Sequence, residues 1–399
     1  MKILVLNCRV NSVEFEVFDM PKEEKLCLGV VDKIGLETAQ VTYKCPGMKE
    51  PLQLIQPVLD HQRAVESVLK IVSDDKNGVA KSPNEIYGVG HRVVHGGERY
   101  FDSVLINNEV KKEIYQNFEL APLHNPYNFK GIEAIEKLLP GKPQVAVFDT
   151  SYHHTLSEVA YRYPIPERLY SQYRIRKYGF HGISHRYVAE HTSALLKKPL
   201  NKTNLISIHL GQGSSMCAIK NGISIDTTMG FTPLEGLMMT TRSGNVSPGI
   251  VFFLQKSGWS LNEVESCLNR ESGVFGISGI SDEMKDVVEE MKSGNKKAKL
   301  SVEMFVYRIQ EYLGAYYIRL KNVDAISFTG GIGENSDIIR KMTCDKLDFI
   351  GIKLDDKKNK KAIGTEADIS ATGSKTKVLV IPRNEKLLIV RDVYKIVKK

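Results

Sequence analysis

The sequence has no long apolar run, no paired cysteines and no secretion signal. No apolar stretch approaches the roughly twenty residues that a membrane-spanning helix needs. The segment Met1–Asn7 is too short and unflanked for a signal peptide, and it is better interpreted as a first strand. The six cysteines are scattered, without a Cys-x-x-Cys pair, which argues against a zinc site and a disulfide framework. We therefore expect a cytoplasmic protein that does not bind a membrane.

A surface patterned for nucleic acid is also missing. The net charge is +8, but the lysines fall in separate runs such as 296–297 and 357–361, and no aromatic pattern accompanies them. We therefore expect no nucleic-acid partner.

An apolar content of 42% and a charged content of 26% are ordinary for a globular protein, and 399 residues exceed what one core usually organises. Two domains are therefore expected.

Apolar, strand-like runs alternate with helix-like periodicity along the chain, which predicts the α/β class. Residues 3–18 and 205–225 share one order: an apolar strand, a turn of small or polar residues, and a returning strand. In the second segment, Asn221-Gly222 separates two alternating runs, and this dipeptide is typical of a tight hairpin. The recurrence of one pattern about two hundred residues later predicts a duplicated domain.

Two glycine-rich segments follow predicted strands. Residues 211–213 would let backbone N–H groups approach an anion, because glycine has no Cβ in the way. Residues 330–333 lead into a helix predicted from Ser336, and a helix N-terminus favours phosphate. This second segment is neither a Walker A loop nor a full dinucleotide fingerprint. A plain glycine turn remains an equal alternative there.

Charged side chains and imidazoles stand in loops beside the predicted strand ends. Arg92 and Arg242 lie in glycine-rich loops, and a pair of guanidinium groups suits a carboxylate or a phosphoryl group. Asp149 ends an apolar strand, which is where α/β folds place chemistry. His124 and His181 lie in loops that proline or glycine fixes. Together these residues favour group-transfer chemistry.

Two oxygen-bearing side chains flank the first and last predicted strands. Asn7 follows the first and Glu385 the last. Hard oxygen ligands of this kind suit Mg²⁺, which takes few protein ligands and keeps waters and phosphates. Spacing alone supports the metal assignment only weakly.

Seven segments make the chain resemble the acetate kinase family, a branch of the superfamily that contains sugar kinases, actin and heat-shock chaperones. They occur in the family's order over nearly the whole chain, at residues 90–97, 121–126, 148–150, 177–182, 229–239, 241–244 and 329–335.

The resemblance implies two duplicated ribonuclease-H-like domains of the actin-like ATPase type around a central cleft. The first would comprise residues 1–150, completed by a C-terminal helix at 386–399, and the second residues 151–385. It also implies a homodimer that reversibly phosphorylates acetate with ATP, giving acetyl phosphate and ADP by direct in-line transfer. Mg²⁺ or Mn²⁺ would be the cofactor.

The same resemblance implies roles for individual residues. Arg92 and Arg242 would hold acetate and the phosphoryl group, His181 would stabilise that group, Asp149 would be the essential acid, and His124 would line the site. Asn7 and Glu385 would hold the metal. The substrate pocket would comprise Arg92 with Val94, Leu123, Phe180 and Pro233 around the methyl group. ATP would contact His209, Leu210, Gly211, Gln212, Gly213, Glu283, Met284, Lys285, Gly331, Ile332, Gly333, Glu334 and Asn335.

The N-terminal turn departs from the family pattern. The family has Asn-Ser-Gly-Ser-Ser-Ser-Leu-Lys where residues 7–14 read Asn-Cys-Arg-Val-Asn-Ser-Val-Glu. Arg9 thus replaces a glycine, Val10 a serine, and Glu14 a phosphate-facing lysine. Because Arg9 brings a positive charge to a turn that has lost its lysine, Arg9 is a candidate for the missing cation, with Glu14 orienting it. The alternative is a turn that has lost its function.

Three functional interpretations follow from these residues. The first is an acetate kinase, and the second is a kinase that prefers propionate or butyrate, against which Val94 argues because a smaller residue would open the pocket. The third is a low-activity binder of nucleotide or acetyl phosphate, which the altered turn motivates. A pyrophosphate-using enzyme is disfavoured because residues 331–335 keep the adenosine-binding form.

Overall fold

The computed structural model describes residues 1–398 and contains two β-sheets with accompanying helices. The chain divides into two compact units, of which the first comprises Met1–Tyr152 with the C-terminal segment from Asn384, and the second His153–Arg383. The predicted α/β class is confirmed. The boundaries expected from the sequence, 150/151 and 385/386, each differ by two residues from those of the units.

Runs of strands and runs of helices follow one another along the chain. The strands are β1 (Lys2–Cys8), β2 (Ser12–Asp19), β3 (Glu24–Asp32), β4 (Leu36–Lys44), β5 (Leu52–Val58), β6 (Ile86–Val93), β7 (Val104–Leu105), β8 (Gln144–Phe148), β9 (Leu205–Leu210), β10 (Ser214–Lys220), β11 (Ile223–Thr227), β12 (Ala325–Thr329), β13 (Ala367–Asp368) and β14 (Lys377–Val380). The α-helices are α1 (His61–Val72), α2 (Asn108–Gln116), α3 (Asn125–Leu138), α4 (Glu158–Tyr161), α5 (Glu167–Tyr173), α6 (Gly182–Leu195), α7 (Pro248–Lys256), α8 (Leu261–Arg270), α9 (Gly273–Ser278), α10 (Met284–Lys292), α11 (Lys296–Leu320), α12 (Gly330–Asn335), α13 (Asp337–Cys344), α14 (Asp356–Lys361) and α15 (Glu385–Val397).

The two sheets repeat one topology. The first has the order β5-β4-β3-β2-β1-β6-β8-β7, and the second β11-β10-β9-β12-β14-β13. In each sheet an antiparallel meander (β1–β2–β3, or β9–β10–β11) is followed by two parallel strands beside its first member, β6 and β8 or β12 and β14. An antiparallel edge strand, β7 or β13, closes that side. The predicted duplication is therefore confirmed.

The predicted hairpin lies between β10 and β11. Asn221 and Gly222 have φ values of 53° and 78°, the left-handed conformation that a two-residue hairpin turn of this type requires at both positions. In β9 and β10 almost every side chain is buried, as expected for central strands that are covered on both faces.

The C-terminal helix α15 packs directly on β6. A Cβ added at Gly90 would lie 2.7 Å from Cγ2 of Ile389 and 2.8 Å from Cγ2 of Val393, so only glycine permits this approach. This contact explains why the last residues of the chain belong to the first unit. Within the described residues, no helix has both the length and the apolar character needed to cross a membrane.

Candidate active site

The first unit holds an arginine at the centre of a group of polar side chains. In the first unit Arg92 lies at the end of β6, and Asp149 follows the adjacent parallel strand β8. Nη2 of Arg92 is 2.6 Å from Oδ2 of Asp149, and Nη1 donates to Oδ1 of Asn7 at 3.2 Å. Asn7 belongs to β1, which runs parallel to β6 on its other side. The strand ends thus bring three sequence-predicted residues together.

The charge of Arg92 is stabilised by carboxylates around it. Burial works to lower the pKa of its guanidinium, but Asp149, followed by Glu385 and Glu14, raises that pKa above its ordinary value. Asp149 is itself buried. Glu385 is the first residue of α15, where a carboxylate is favoured by the helix dipole. Arg92 is therefore a permanent cation among acids.

The altered turn at residues 9–14 is an ordered hairpin connection between β1 and β2. The backbone N–H of Arg9 donates to the carbonyl of Ser12 at 2.8 Å, and Nε2 of His61 donates to the carbonyl of Arg9 at 2.7 Å. The N–H of Ile34 donates to the carbonyl of Asn11 at 2.9 Å. These bonds fix the backbone path of the turn.

The carboxylate of Glu14 is surrounded by donors. Nη2 of Arg9 lies 2.9 Å from Oε1, and Nζ of Lys386 lies 3.3 Å from Oε2. Nδ2 of Asn7 donates to Oε2 at 3.3 Å, which leaves the amide oxygen of Asn7 facing Arg92. Burial would raise the pKa of Glu14, but Lys386, Arg9 and Asn7 together hold it below its usual range. The charge of Glu14 is thus neutralised locally.

Two asparagines on α3 position the loop after β6, and sequence reasoning missed both. The side-chain oxygens of Asn128 and Asn125 accept from the backbone N–H groups of Val94 and His95, both at 3.0 Å. Nδ2 of Asn128 donates to the carbonyl of Cys8 at 2.7 Å. In the structure, both amide atoms of each buried asparagine are hydrogen-bonded, which marks these residues as positioning residues. The sequence does not reveal this role, because their partners are distant in sequence. His124, the residue before α3, is half-buried, and Leu123 is exposed.

In the second unit His181 precedes α6 in the left-handed conformation, with φ 57° and ψ 23°. This conformation is uncommon for a residue other than glycine and is often retained at functional positions. Nδ1 of His181 is 2.9 Å from Oγ of Ser215, and its ring stacks on that of His209 with centroids 4.3 Å apart. Nδ1 of His209 is 2.8 Å from Oγ of Ser184. Both imidazoles are therefore held in fixed orientations.

Arg242 has no carboxylate partner within residues 1–398. Its Nη1 donates to the carbonyl of Pro233 at 3.2 Å and contacts Sδ of Met239 at 3.7 Å. Burial lowers the pKa of its guanidinium, and no acid offsets that effect. A largely buried cation without a counter-charge is costly unless an anion joins it. Arg242 thus differs from Arg92, which is paired with Asp149.

Gly213 brings the backbone close to both His181 and Arg242. A Cβ at Gly213 would lie 3.3 Å from Nε2 of His181 and 3.4 Å from Nη1 of Arg242. The space beside this glycine is therefore bordered by an imidazole nitrogen and a guanidinium nitrogen.

The second glycine segment lies against the first. Gly330 has φ 80°, and a Cβ there would lie 2.5 Å from the carbonyl oxygen of Leu210 at the end of β9. A Cβ at Gly211 would lie 4.0 Å from the backbone nitrogen of Gly331. Residues 330–335 form the short helix α12 themselves, whereas the sequence placed only a turn before a helix near Ser336. The two segments thus lie side by side at the end of the β9–β12 pair.

The acidic and amide side chains of α12 stabilise the segment itself. Oε1 of Glu334 accepts from the backbone N–H groups of Gly330 and Arg383, both at 2.9 Å. Nδ2 of Asn335 donates to the carbonyl of Gly331 at 2.9 Å. Glu334 is buried and therefore acts as a cap.

Arg340, a buried arginine that the sequence did not single out, binds the carbonyl groups at the C-terminal end of α12. All five N–H groups of Arg340 donate, at 2.7–3.0 Å, to the carbonyls of Gly333, Glu334, Asn359 and Ala362 and to Oδ1 of Asn359. Its side chain is fully buried, and burial lowers its pKa to about 10. The guanidinium thus joins the carboxyl ends of α12 and α14.

The remaining candidate residues differ in whether their side chains are buried or exposed. The side chains of Leu210 and Met284 are in the hydrophobic core, and Ile332 packs against it, so only their backbones could meet a nucleotide. Glu283 and Lys285 are exposed at the start of α10. Phe180 is buried, and its carbonyl accepts from Nε2 of His153 at 3.1 Å.

The oxygen atoms of the first unit fit a small divalent cation. Asn7 offers an amide oxygen, and Asp149 and Glu385 offer carboxylates around Arg92. No cluster of three or more His, Cys, Asp or Glu side chains suited to a metal occurs in the part of the chain that is described. This donor set suits Mg²⁺, which needs one or two carboxylates when phosphates complete its shell, better than a metal that requires a full protein cage.

Comparison with known proteins gives one consistent answer. The model of the acetokinase family matches residues 2–391. An acetate kinase from Carboxydothermus hydrogenoformans is 49% identical over 398 residues, covering 100% of this chain and 99% of the relative. The crystal structure of an acetate kinase from Porphyromonas gingivalis is 43% identical, with a TM-score of 0.95 and 99% of each chain covered. A propionate kinase from Francisella tularensis is 37% identical, with a TM-score of 0.92 and the same coverage.

Proposed function

The chain belongs to the acetokinase family, whose kinases phosphorylate acetate with ATP, and we propose that Arg92, Arg242 and His181 carry out the transfer. The acceptor is a carboxylate, and the family uses ATP or ADP with a divalent metal. We further propose that each compact unit is one actin-like domain.

The observation that carries this proposal is the unpaired cation of Arg242. A guanidinium that is largely buried, beside an imidazole and a glycine backbone, requires an anion. The γ-phosphoryl group of ATP is an anion whose charge is spread over three oxygens during transfer, and fixed cations stabilise that distribution. Arg242 and His181 are proposed to act on those oxygens.

Arg92 is proposed to hold the acceptor. Its guanidinium can bind the acetate carboxylate, while Asp149 and Asn7 fix its orientation. In the reaction one carboxylate oxygen bonds to the γ-phosphorus as the bond to the β–γ bridging oxygen breaks, and ADP leaves with that electron pair. No proton need be removed, so the residues position the reactants and neutralise charge.

Asn7 and Glu385 are proposed to hold Mg²⁺ or Mn²⁺, with Asp149 close by. The ion, when bound, would neutralise polyphosphate charge. The chain's own contribution is to orient the oxygen of Asn7, through the bonds from Arg92 and to Glu14.

The nucleotide is proposed to use the adjacent glycine segments 211–213 and 330–333 for its phosphates and ribose, with His209 and residues 283–285 and 334–335 in support. Backbone N–H groups at the start of a helix favour phosphate. For Leu210 and Met284 the contact would come from the backbone, because their side chains are buried in the core.

Val94, Leu123, Phe180 and Pro233 are proposed to meet the acceptor's methyl group, with His124 beside them. Pro233 accepts a hydrogen bond from Arg242, which supports a place near the transferred group. The similar propionate kinase makes propionate the second candidate acceptor. Val94 favours acetate because its branched side chain fills space that a longer acceptor would need.

A homodimer is proposed from the unpartnered face around α7. No residue of α7 is buried, and its neighbourhood exposes the apolar side chains of Ile250, Phe252, Phe253, Trp259 and Leu261. Exposed apolar patches of this kind mark association surfaces. A second copy is the occupant, and Phe253→Glu should convert the dimer into a monomer in sedimentation experiments, whereas an unchanged dimer would refute this surface.

The free thiols of all six cysteines support a cytoplasmic location.

The function is tested by trapping acetyl phosphate as the hydroxamate during incubation of the purified chain with ATP, Mg²⁺ and acetate, propionate or butyrate. ATP-dependent product with acetate, exceeding that with the longer acids, is expected. Product absent with every acid would identify a binder without turnover, and a higher kcat/KM for propionate would transfer the assignment to the second candidate.

A further inference from the structure

A row of alternating imidazoles and hydroxyls runs through the second unit and ends at His181. Its members, called here the His–Ser row, are Ser207, His185, Ser215 and His181. Oγ of Ser207 is 2.8 Å from Nδ1 of His185, whose Nε2 is 2.8 Å from Oγ of Ser215. Oγ of Ser215 is in turn 2.9 Å from Nδ1 of His181.

The direction of the hydrogen bonds is set at the buried end. Ser207 is fully buried on β9, and within residues 1–398 its hydroxyl contacts no acceptor other than Nδ1 of His185. A buried hydroxyl proton without an acceptor is destabilising, because its hydrogen bond to water is lost and not replaced. Ser207 therefore donates to Nδ1 of His185, and that nitrogen carries no proton.

His185 transmits this direction to Ser215. Burial, together with the neighbouring rings of His153 and His209, lowers the pKa of His185 well below its ordinary value, so the ring is neutral. A neutral imidazole has one N–H. Since Nδ1 of His185 accepts, Nε2 carries the proton and donates to Oγ of Ser215.

The hydroxyl of Ser215 then has one proton left to donate and one remaining neighbour, Nδ1 of His181. We propose that Ser207, His185 and Ser215 are positioning residues that hold His181 in the tautomer with its proton on Nε2. This nitrogen lies beside Gly213 and Arg242, where the N–H can donate to a phosphoryl oxygen. The role of this N–H in phosphoryl transfer rests on the proposed function. The tautomer itself follows from the hydrogen bonds of the His–Ser row alone.

The opposite direction is less favourable for a definite reason. If Nδ1 of His181 carried the proton, one buried hydroxyl proton would lose its acceptor. Either each bond of the row would reverse and leave the proton of Ser207 without an acceptor, or Ser215 would accept from both imidazoles and its own proton would have none. In the assigned direction every buried donor of the row is satisfied, and the proton on Nε2 of His181 lies on the side of Gly213. The nitrogen that must donate during transfer is thus protonated before substrate binds.

The assignment can be tested by NMR of the full chain labelled with ¹⁵N in histidine, without substrate. Long-range ¹H–¹⁵N spectra distinguish the two tautomers, and the His181 signal is identified by its loss in His181→Asn. We expect Nε2 protonated and Nδ1 unprotonated in the wild type. Protonation of Nδ1 would overturn the proposal, and this measurement needs no variant of the row.

Variants then test whether the row causes the preference. Ser215→Ala should give a mixture of tautomers and lower kcat by about tenfold to a hundredfold with little change in the KM for ATP, while Ser215→Thr should retain both properties. Ser207→Ala should also weaken the preference without touching His181. The matched control is Ser327→Ala. Ser327 lies on β12, the strand adjacent to β9, and its buried hydroxyl is bonded to Thr192, so its loss should leave the His181 tautomer intact.

The failures of the two proposals are distinguishable. A His181 signal that keeps the Nε2 proton in both Ser215→Ala and Ser207→Ala would overturn the positioning role of the row. A wild-type kcat in His181→Asn would instead contradict the proposed function of His181.

Discussion

Replacing Glu14 by lysine restores the residue of the family pattern, yet the structure predicts that this change harms the protein. The introduced ammonium group would stand beside Arg9 and Lys386, both of which now contact the Glu14 carboxylate within 3.3 Å. The change would also remove the acceptor that orients the amide of Asn7. We therefore expect lower stability and no gain in ATP use.

The magnitude follows from the exposure of the three side chains. Arg9 is 50% exposed, so losing its pair with Glu14 costs no more than about 1 kcal/mol. Lys386 is only 23% exposed. A new lysine that moves to about 6 Å from it would still feel a repulsion of roughly 3 kcal/mol at an effective dielectric near 20, before salt screening. With screening and relaxation, we expect the free energy of unfolding to fall by about 2–3 kcal/mol.

Urea denaturation of Glu14→Lys provides the measurement. Glu14→Gln is the matched control, because it removes the charge and keeps a side-chain oxygen. Glu14→Lys combined with Lys386→Gln should recover part of the lost stability, because it removes the repulsion but also the pair of Lys386 with Glu16. In parallel, Arg9→Ala should raise the KM for ATP if Arg9 supplies the missing cation. A Glu14→Lys protein that is as stable as the wild type and has a lower KM for ATP would refute this reasoning.

Three further changes address other parts of the account. Arg242→Ala should lower kcat far more than it weakens ATP binding, because its charge acts on the transferring group, and weaker ATP binding at unchanged kcat would contradict that role. Val94→Ala should shift the ratio of kcat/KM values toward propionate by about 1–3 kcal/mol, and an unchanged ratio would remove Val94 from the pocket. Arg340→Met removes five hydrogen bonds, of which those to the carbonyls of Glu334 and Asn359 leave acceptors that keep a backbone N–H partner. It should lower the free energy of unfolding by about 3–5 kcal/mol, with Arg340→Lys as a partial rescue, whereas a loss below about 1 kcal/mol would mean that water replaces the guanidinium.

Local sequence patterns were sufficient for much of the fold. The Asn221-Gly222 hairpin could be predicted because two consecutive left-handed residues require those side chains. The duplication could be predicted because each sheet starts, in chain order, with the same apolar strand, turn and returning strand, and both sheets follow one order. The approach of Asp149 to Arg92 also follows from the sequence, since parallel strand ends meet at one edge of a sheet.

Side-chain contacts other than those at the ends of neighbouring parallel strands could not be predicted. Ser215 and His185 are 30 residues apart, and Asn128 is 34 residues from Val94, so no local spacing indicates that they meet. In the sequence, Arg340 resembles a charged surface residue. Only the structure shows that the carbonyl ends of two helices, α12 and α14, surround it. The turn at Glu14 was interpreted only against the family's lysine, because the neutralising Lys386 comes from the other end of the chain.

The central claim, that the γ-phosphoryl group passes directly from ATP to acetate in one displacement, is tested most directly by stereochemistry. The purified chain is incubated with acetate and ATP made chiral at the γ-phosphorus with oxygen isotopes, and the configuration of the acetyl phosphate is determined. A single in-line displacement predicts inversion at phosphorus. Retention would require an intermediate phosphorylated on the protein and would contradict the account.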